Sequence, residues 1–331
     1  MSIAKIRWGI LGTANIARKQ LIPAIQESHN GEVAAVGSRN LATAQAYAKE
    51  LGIPHAYGSY EALLADPEID AIYNPLPNDG HVPWSIKALR AHKHVLVEKP
   101  IAMDAAEAQT VIEVAHETGM WLAEAFMYRF HPQHAKVHAL LVSGALGKVS
   151  TINAGFSYVL PPSDTENVRL KPELGGGGLW DVGCYCVSSI RMFAGQEPDA
   201  VSGFATIGSS GVDENFVGTL HFPNGLLAHF ECGIRVKGEQ QYTIFGDKGR
   251  IHVDEAFRPD DRPQTIRVVY GNRVETFPIP VINQYTLLVE DFADAILNKR
   301  PPQFTPEDGV QNMRVLDALA LSARDLRVVV L

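Results

Sequence analysis

Residues 94–100 read His94-Val95-Leu96-Val97-Glu98-Lys99-Pro100. Val95, Leu96 and Val97 are apolar on both faces of an extended chain, the pattern of a strand covered by helices on either side. The strand delivers a carboxylate and an ammonium, Glu98 and Lys99, to its carboxyl end, and Pro100 keeps it from continuing. Open parallel sheets bind ligands at that edge. The charged pair is therefore either a solvated strand end or part of a site, and the neighbouring segments decide between the two.

Upstream, Ile6–Leu11 reads as a strand that ends in Gly12-Thr13-Ala14-Asn15-Ile16-Ala17, with a helix over 17–26. A strand, a glycine turn and a helix start place backbone N–H groups and a helix dipole against a pyrophosphate. The dinucleotide fingerprint appears as G-x-A-x-x-A, with Ala14 in place of its second glycine. The next strand, 33–37, ends in Ser38-Arg39-Asn40 before a helix over Leu41–Leu51. An NAD-selective site carries Asp or Glu there for the ribose 2′-hydroxyl. A hydroxyl and a guanidinium instead suit a 2′-phosphate, so NADP is expected over NAD. The strand Ala71–Asn74 ends in Pro75-Leu76-Pro77-Asn78-Asp79-Gly80-His81, and a helix follows to about Ala91. Asn78 is a turn former or a ligand contact, and His81 a helix-start residue or a ligand contact. A helix over 104–116, with Asp104 as N-cap, and a strand over 120–125 complete the alternation. The fold class is α/β, with a doubly wound parallel sheet first.

The length, 331 residues, accommodates two domains. A net charge of −8 argues against nucleic acid or an anionic membrane as the main partner. Three cysteines, Cys184, Cys186 and Cys232, form no paired framework and suit a reducing compartment. No stretch is apolar for long enough to span a bilayer. With no signal-peptide pattern before the first strand, a cytoplasmic location is expected.

Beyond 126 the rhythm changes. A helix near 133–142 precedes an alternating strand over 147–158 and a loop rich in Pro, Asp and Asn that reaches Arg169. Strands are expected over 201–207, 216–222, 226–234, 242–245, Arg250–Val253, 266–270 and 274–277. Pro223-Asn224-Gly225 and Gly246-Asp247-Lys248-Gly249 are hairpin signals. This is a mostly antiparallel, open-faced sheet in an α+β domain, closed by helices over Gln284–Leu297 and 306–326. The expected division is 1–125, binding the dinucleotide, and 126–331, binding substrate, with the C-terminal helix able to pack back on the first domain.

The run 175–186, Gly-Gly-Gly-Gly-Leu-Trp-Asp-Val-Gly-Cys-Tyr-Cys, lacks the Gly-Lys-Ser/Thr of a phosphate loop. It reads as a flexible glycine loop feeding a helix start. Asp181 and Tyr185 are four residues apart and so share one helical face. They are an N-cap and a buried aromatic, or an acid/base unit.

Taken in order, the Gly12 turn, Asn78-x-x-His81, Glu98-Lys99-Pro100 and Asp181-x-x-x-Tyr185 resemble the Gfo/Idh/MocA oxidoreductase family over essentially the whole chain. Residues 124–133 and 176–186 resemble most closely its NADP-dependent aldose 1-dehydrogenases and dihydrodiol dehydrogenases. The resemblance implies a Rossmann domain and a sheet whose outer face often joins subunits, so a homodimer or homotetramer is expected. It also implies that Lys99, Asp181 and Tyr185 occupy the catalytic positions. Tyr185 stands where many cyclitol-oxidising members have His, which argues against the inositol branch.

Oxidising a sugar alcohol needs a hydride acceptor and a base for the hydroxyl proton. Free Tyr titrates near ~10 and free Lys near ~10.4, so either must be depressed to act at neutral pH. Tyr185 is assigned as proton acceptor with Lys99 as electrostatic partner, or the reverse. Cofactor contacts are expected from Gly12, Thr13, Ala14, Asn15, Ile16, Ser38, Arg39, Asn40, Pro75, Leu76, Asn78, His81, Glu98 and Lys99. Substrate contacts are expected from Tyr128, Arg129, Tyr158, Arg169, Trp180, Gln284 and Tyr285. His131, His134 and His138 share a helical segment without a carboxylate to complete a metal motif, so no metal is expected. The reaction expected is aldose oxidation at C1 to a lactone; keto-sugar reduction and dihydrodiol oxidation share its hydride geometry. A non-catalytic, cofactor-sensing regulator is the reading from a different class.

Overall fold

The structure, a computed structural model, describes residues 4–259 and 262–331. Among them the chain falls into two compact units, Met1–Met127 with Asn283–Val310, and Tyr128–Ile282 with Gln311–Leu331.

The first unit is built on six parallel strands, β1 (Ile6–Leu11), β2 (Gly31–Gly37), β3 (His55–Tyr57), β4 (Ala71–Asn74), β5 (His94–Val97) and β6 (Leu122–Glu124). Their order, β3-β2-β1-β4-β5-β6, reverses between β1 and β4. That reversal opens a crevice at the carboxyl ends, where doubly wound sheets bind dinucleotides. The connecting helices are α1 (Ile22–Glu27), α2 (Leu41–Leu51), α3 (Tyr60–Leu64), α4 (His81–Arg90) and α5 (Ala105–Thr118). Asp104 caps α5 by accepting the Glu107 N–H at 2.8 Å. Val95, Leu96 and Val97 are fully buried, as a strand covered on both faces requires.

The segment expected as one helix over 17–26 is not uniform. Residues Ala17–Leu21 form a wider turn in which the Ile22 N–H reaches Ala17 O, and regular α-helix begins only at Ile22. Strand β3 and helix α3 were not visible in the sequence, because three and five residues carry too little periodicity.

In the second unit, α6 (Pro132–Val142) leads into β7 (Val149–Ser157), and α7 (Cys184–Ala194) packs across β7 and β10. Strands β8 (Ala200–Ile207), β9 (Asp213–His221), β10 (Leu227–Gly233), β11 (Gln240–Gly246), β12 (Arg250–Val253), β13 (Gln264–Tyr270) and β14 (Arg273–Ile279) follow. Helices α8 (Gln284–Leu297) and α9 (Glu307–Asp325) and strand β15 (Val329–Val330) end the chain. The nine-stranded order is β14-β13-β12-β11-β7-β10-β9-β8-β15. It is antiparallel except for the β7–β10 pair at its centre. Over 216–221 of β9 and 227–232 of β10 burial alternates: Phe216, Leu220, Ala228 and Phe230 face inward, while Val217, Thr219, Leu227 and His229 face out. Helix α8 belongs to the first unit, where Phe292 lies 5.7 Å, centroid to centroid, from Trp8 of β1.

Close approach demands glycine inside this sheet. A Cβ on Gly218 of β9 would lie 2.3 Å from Cε1 of Phe230 and 3.0 Å from Cδ2 of Leu319. Gly218→Val should destabilise the protein by about 2 kcal/mol through overpacking. Urea unfolding at pH 7 measures this, and an unchanged midpoint would show that the core yields.

Candidate active site

In the first unit the site is assembled from strand ends. Gly12 follows β1 with φ +76°, a backbone conformation that side chains disfavour. A Cβ there would also come within 3.2 Å of Leu76 Cδ2 and 3.4 Å of the Tyr60 hydroxyl. The turn is therefore a cradle that only glycine keeps open. Beyond it the Ala14 carbonyl accepts the Arg18 N–H at 3.1 Å and the Tyr47 hydroxyl at 3.2 Å. Tyr47 thus clamps the turn at the position where the fingerprint has its second glycine. Thr13, Ala14, Asn15 and Ile16 lie at the mouth of this helix, whose first turn presents N–H groups and a partial positive charge.

At the end of β2, Ser38 is nearly buried, and its hydroxyl accepts the Asn40 N–H at 3.4 Å. Asn40 uses its side-chain oxygen to cap α2 through the Thr43 N–H. Arg39 is exposed beside Tyr60, where burial raises the phenol pKa and the Arg39 charge opposes that rise. No carboxylate stands at 38–40.

Past β4 the loop is shaped by a residue the sequence reading passed over. Buried Asn74 donates to His81 O at 3.0 Å and Ser85 Oγ at 3.2 Å, and accepts the Leu76 N–H at 3.3 Å. One His81 ring nitrogen lies 2.7 Å from Pro100 O and the other 2.8 Å from Leu76 O. Burial lowers its pKa to about 4, against the pull of the two carbonyls, and the ring ties the loop after β4 to the one after β5. Pro75 and Asn78 belong to the loop it ties, and Asn78 opens a single turn of 3₁₀ helix. Glu98 accepts the Tyr73 hydroxyl at 2.5 Å and the Lys99 N–H at 3.3 Å. The Lys99–Pro100 peptide is cis, and Lys99 is partly exposed at the strand end.

In the second unit, three predicted residues meet. Asp181 Oδ2 accepts the Tyr158 hydroxyl at 2.6 Å and Arg169 Nε at 2.7 Å. The Asp181 side chain is only 11% exposed. The Asp181 carboxylate raises the Arg169 guanidinium further above its ordinary value, while burial and then Asp181 push the Tyr158 phenol far up. Tyr158 therefore holds its proton and acts as a donor. Asp181 and Trp180 sit in a wide turn over Leu179–Gly183, and Tyr185 lies in the first turn of α7. The Tyr185 ring packs against Phe156, Phe257 and Tyr128 with centroids 5.4, 5.6 and 5.7 Å away. Arg169 is close enough for its charge to be coupled to that of Tyr185.

Tyr128 is fully buried with its hydroxyl 2.6 Å from Ser188 Oγ, and Arg129 Nη2 donates to the same oxygen at 2.7 Å. Gln284 and Tyr285 are buried in the first turn of α8, in the first unit. The Tyr242 hydroxyl donates to His134 Nδ1 at 3.0 Å and His134 Nε2 donates to Ala256 O at 2.9 Å, with burial lowering the ring pKa to about 3. The expected flexibility of 175–178 is also corrected. A Cβ on Gly176 would lie 2.6 Å from Arg169 O, and one on Gly177 2.1 Å from Asp213 Oδ1. The glycines are there for close packing. Asp213 itself was missed, because an acid at the head of an alternating strand looks like a solvated turn.

Residues 6–126 match the model of an oxidoreductase family with an NAD-binding Rossmann fold, and residues 134–252 match a Gfo/Idh/MocA C-terminal domain. The protein is thus an enzyme, an oxidoreductase with a dinucleotide-binding domain. It belongs to the Gfo/Idh/MocA family. The NADP+-dependent D-xylose 1-dehydrogenase 2 of Haloferax volcanii is 41% identical over 96% of this chain and 97% of its own. The trans-1,2-dihydrobenzene-1,2-diol dehydrogenase of Mus musculus is 33% identical over 84% and 82%. A 3-ketoreductase from Actinomadura kijaniata, solved with NADP and TDP-benzene, superposes with a TM-score of 0.91. It is 30% identical, covering 96% of this chain and 98% of that one.

The Gly12 cradle, the helix mouth behind it and the acid-free end of β2 fit a dinucleotide. Gly12→Ala should weaken binding of a nicotinamide dinucleotide about tenfold, because the methyl fills the cradle and resists the positive φ. Fluorescence titration checks this, and wild-type affinity would show that no ligand approaches the turn.

Proposed function

We propose that the protein oxidises the C1 hydroxyl of a free aldose to the lactone, with NADP+ as hydride acceptor. The observation that carries the reading is the neutralised Asp181–Arg169–Tyr158 cluster, in the segment that leads into the helix bearing Tyr185. Such a cluster offers hydroxyl-recognising donors and acceptors around one phenol that can exchange a proton. The similarity to D-xylose 1-dehydrogenase supports an aldose. Ser38 and Arg39, with no acid beside them, support a 2′-phosphate and hence NADP. The two units are taken as the cofactor-binding and substrate-binding domains.

When bound, NADP+ supplies the site that receives the hydride from C1. Gly12, the helix mouth at 13–16, Ser38 and Arg39 hold it, and Pro75 and Leu76 line its loop. Tyr185 takes the proton of the sugar hydroxyl. The Lys99 ammonium is its electrostatic partner and favours the phenolate. Asp181 alone would disfavour a phenolate, but its charge is offset by Arg169. In the reverse direction Tyr185 returns the proton to a carbonyl, which is how a keto-sugar reduction would run.

We also propose that the protein is cytoplasmic and that the exposed face of the nine-stranded sheet joins copies into a dimer or tetramer. Phe204, 64% exposed, stands there beside Val217, its cross-strand partner. Among the described residues no helix is long and apolar enough to cross a membrane. Light scattering should give a multiple of the chain mass, and a monomer at micromolar concentration would remove the oligomer.

A panel of aldoses, inositols, keto-sugars and dihydrodiols, assayed with NADP+ and NAD+ or their reduced forms as the direction requires, tests the reaction. Aldoses with NADP+ should turn over fastest. Lys99→Met and Tyr185→Phe should each lower kcat by about a hundredfold or more while NADPH affinity stays within about twofold. Turnover of a keto-sugar with NADPH alone would reassign the substrate. Tight NADPH binding with no turnover of any compound would make the protein a cofactor-sensing regulator.

A further inference from the structure

We propose that Asp213 is a positioning residue of the substrate half-site, a partly buried carboxylate around which the glycine run is moulded so that Asp181 and Tyr185 are held in place. The inference rests on the roles proposed above for those two residues. Asp213 opens β9, and its Oδ2 accepts the Leu179 N–H at 2.7 Å. Leu179 is the first residue of the turn that carries Asp181 and runs straight into α7 and Tyr185. The Asp181 N–H in turn donates to Gly177 O at 3.1 Å, so the carboxylate and the glycine backbone fix the start of the same turn.

The fit is steric as well as polar. A Cβ on Gly177 would lie 2.1 Å from Asp213 Oδ1, and Gly177 has φ +113°. A Cβ on Gly178 would lie 3.3 Å from Asp213 Oδ2 and from the Cα of Gly233 in β10. Gly177 is therefore held to glycine by its φ and by the carboxylate, and Gly178 packs closely beside it. The Gly178 N–H and the Asp213 N–H also stabilise its charge. An acceptor-only carboxylate suits such a ring of donors better than a carboxylic acid or an amide, each of which brings a hydrogen of its own.

Burial raises the Asp213 pKa to about 6 in spite of these donors, and the Asp181 charge adds to the rise. The groups facing it are Asp181 from the turn and the buried Cys232 thiol from β10, itself pushed up by burial. On its own strand, Glu214 is paired with Arg235 at 3.5 Å. Ionisation of Asp213 thus costs the fold some stability as pH rises from about 4 to about 6, and the ionised form grips the loop.

The test follows the Leu179 and Gly178 amide resonances of the full-length protein with NADP+ from pH 5 to 8. In parallel, kcat is measured at saturating NADP+ with D-xylose, or with the panel aldose that turns over fastest. Both amides should titrate together near pH 6, and kcat should fall below the same midpoint. Asp213→Asn should abolish the shared amide titration and lower kcat about tenfold at pH 8, with NADPH affinity within about twofold. Amides that titrate while kcat does not follow, or an Asp213→Asn enzyme with wild-type kcat and an intact acid limb, would overturn the proposal. If Asp213→Asn is too unstable to assay, the wild-type comparison alone decides. A fully active Tyr185→Phe enzyme would remove the acid/base reading while leaving the amide titration to report on the loop.

Discussion

The Asp181 carboxylate can stand almost out of water because Arg169 neutralises it and Tyr158 donates to it. An uncompensated carboxylate so deeply placed would be costly. It would also oppose formation of a phenolate nearby. With the guanidinium in place, the cluster is close to neutral overall while still presenting oriented donors and acceptors. The packing behind it follows from that placement. Helix α7 must approach β7 and β10 closely, so Gly183 sits where a Cβ would lie 2.8 Å from Cys232 Sγ. An aromatic layer of Phe156, Phe257 and Tyr128 then holds the Tyr185 ring.

The first unit solves a related problem at its strand ends. Parallel strands end abruptly at a crevice, and the loops that leave them carry backbone polar groups that must be satisfied. Asn74 and His81 do this by spending their side chains on carbonyls and N–H groups within the β4 and β5 loops. Glu98 is likewise occupied by Tyr73 and by the Lys99 N–H. Lys99 is thus presented by a framework in which its neighbours are already engaged. The chemistry proposed for it depends on that rigidity.

Much of this was legible in the chain. The alternation of short apolar strands with helices predicted a doubly wound sheet, and the observed bounds of β1, β4, α2 and α8 coincide with those read from the sequence. The family resemblance implied Lys99, Asp181 and Tyr185 as the catalytic positions that the proposal above adopts, and the missing acid after β2 pointed to NADP. The short elements β3, α3 and β15 were not read from the sequence. Nor was the parallel β7–β10 pair, because hairpin signals identify neighbours in sequence and say nothing about partners more than seventy positions apart. Tyr158 and Arg169 were singled out as substrate contacts, but their common partner, Asp181, emerged only from the fold.

By itself, the amino-acid sequence determined the layer pattern, the glycine turn, the absence of an acid at 38–40 and the four-residue step from Asp181 to Tyr185. These are local properties, set by side-chain period and backbone freedom within a few residues. Only the tertiary structure decided that Arg169 neutralises Asp181, that His81 bridges two loops, and that the glycine run is pressed against Asp213 rather than left free. Those facts depend on segments far apart in the chain being brought within about 3 Å, the range of hydrogen bonds and van der Waals contact. No local rule of periodicity or spacing encodes that distance.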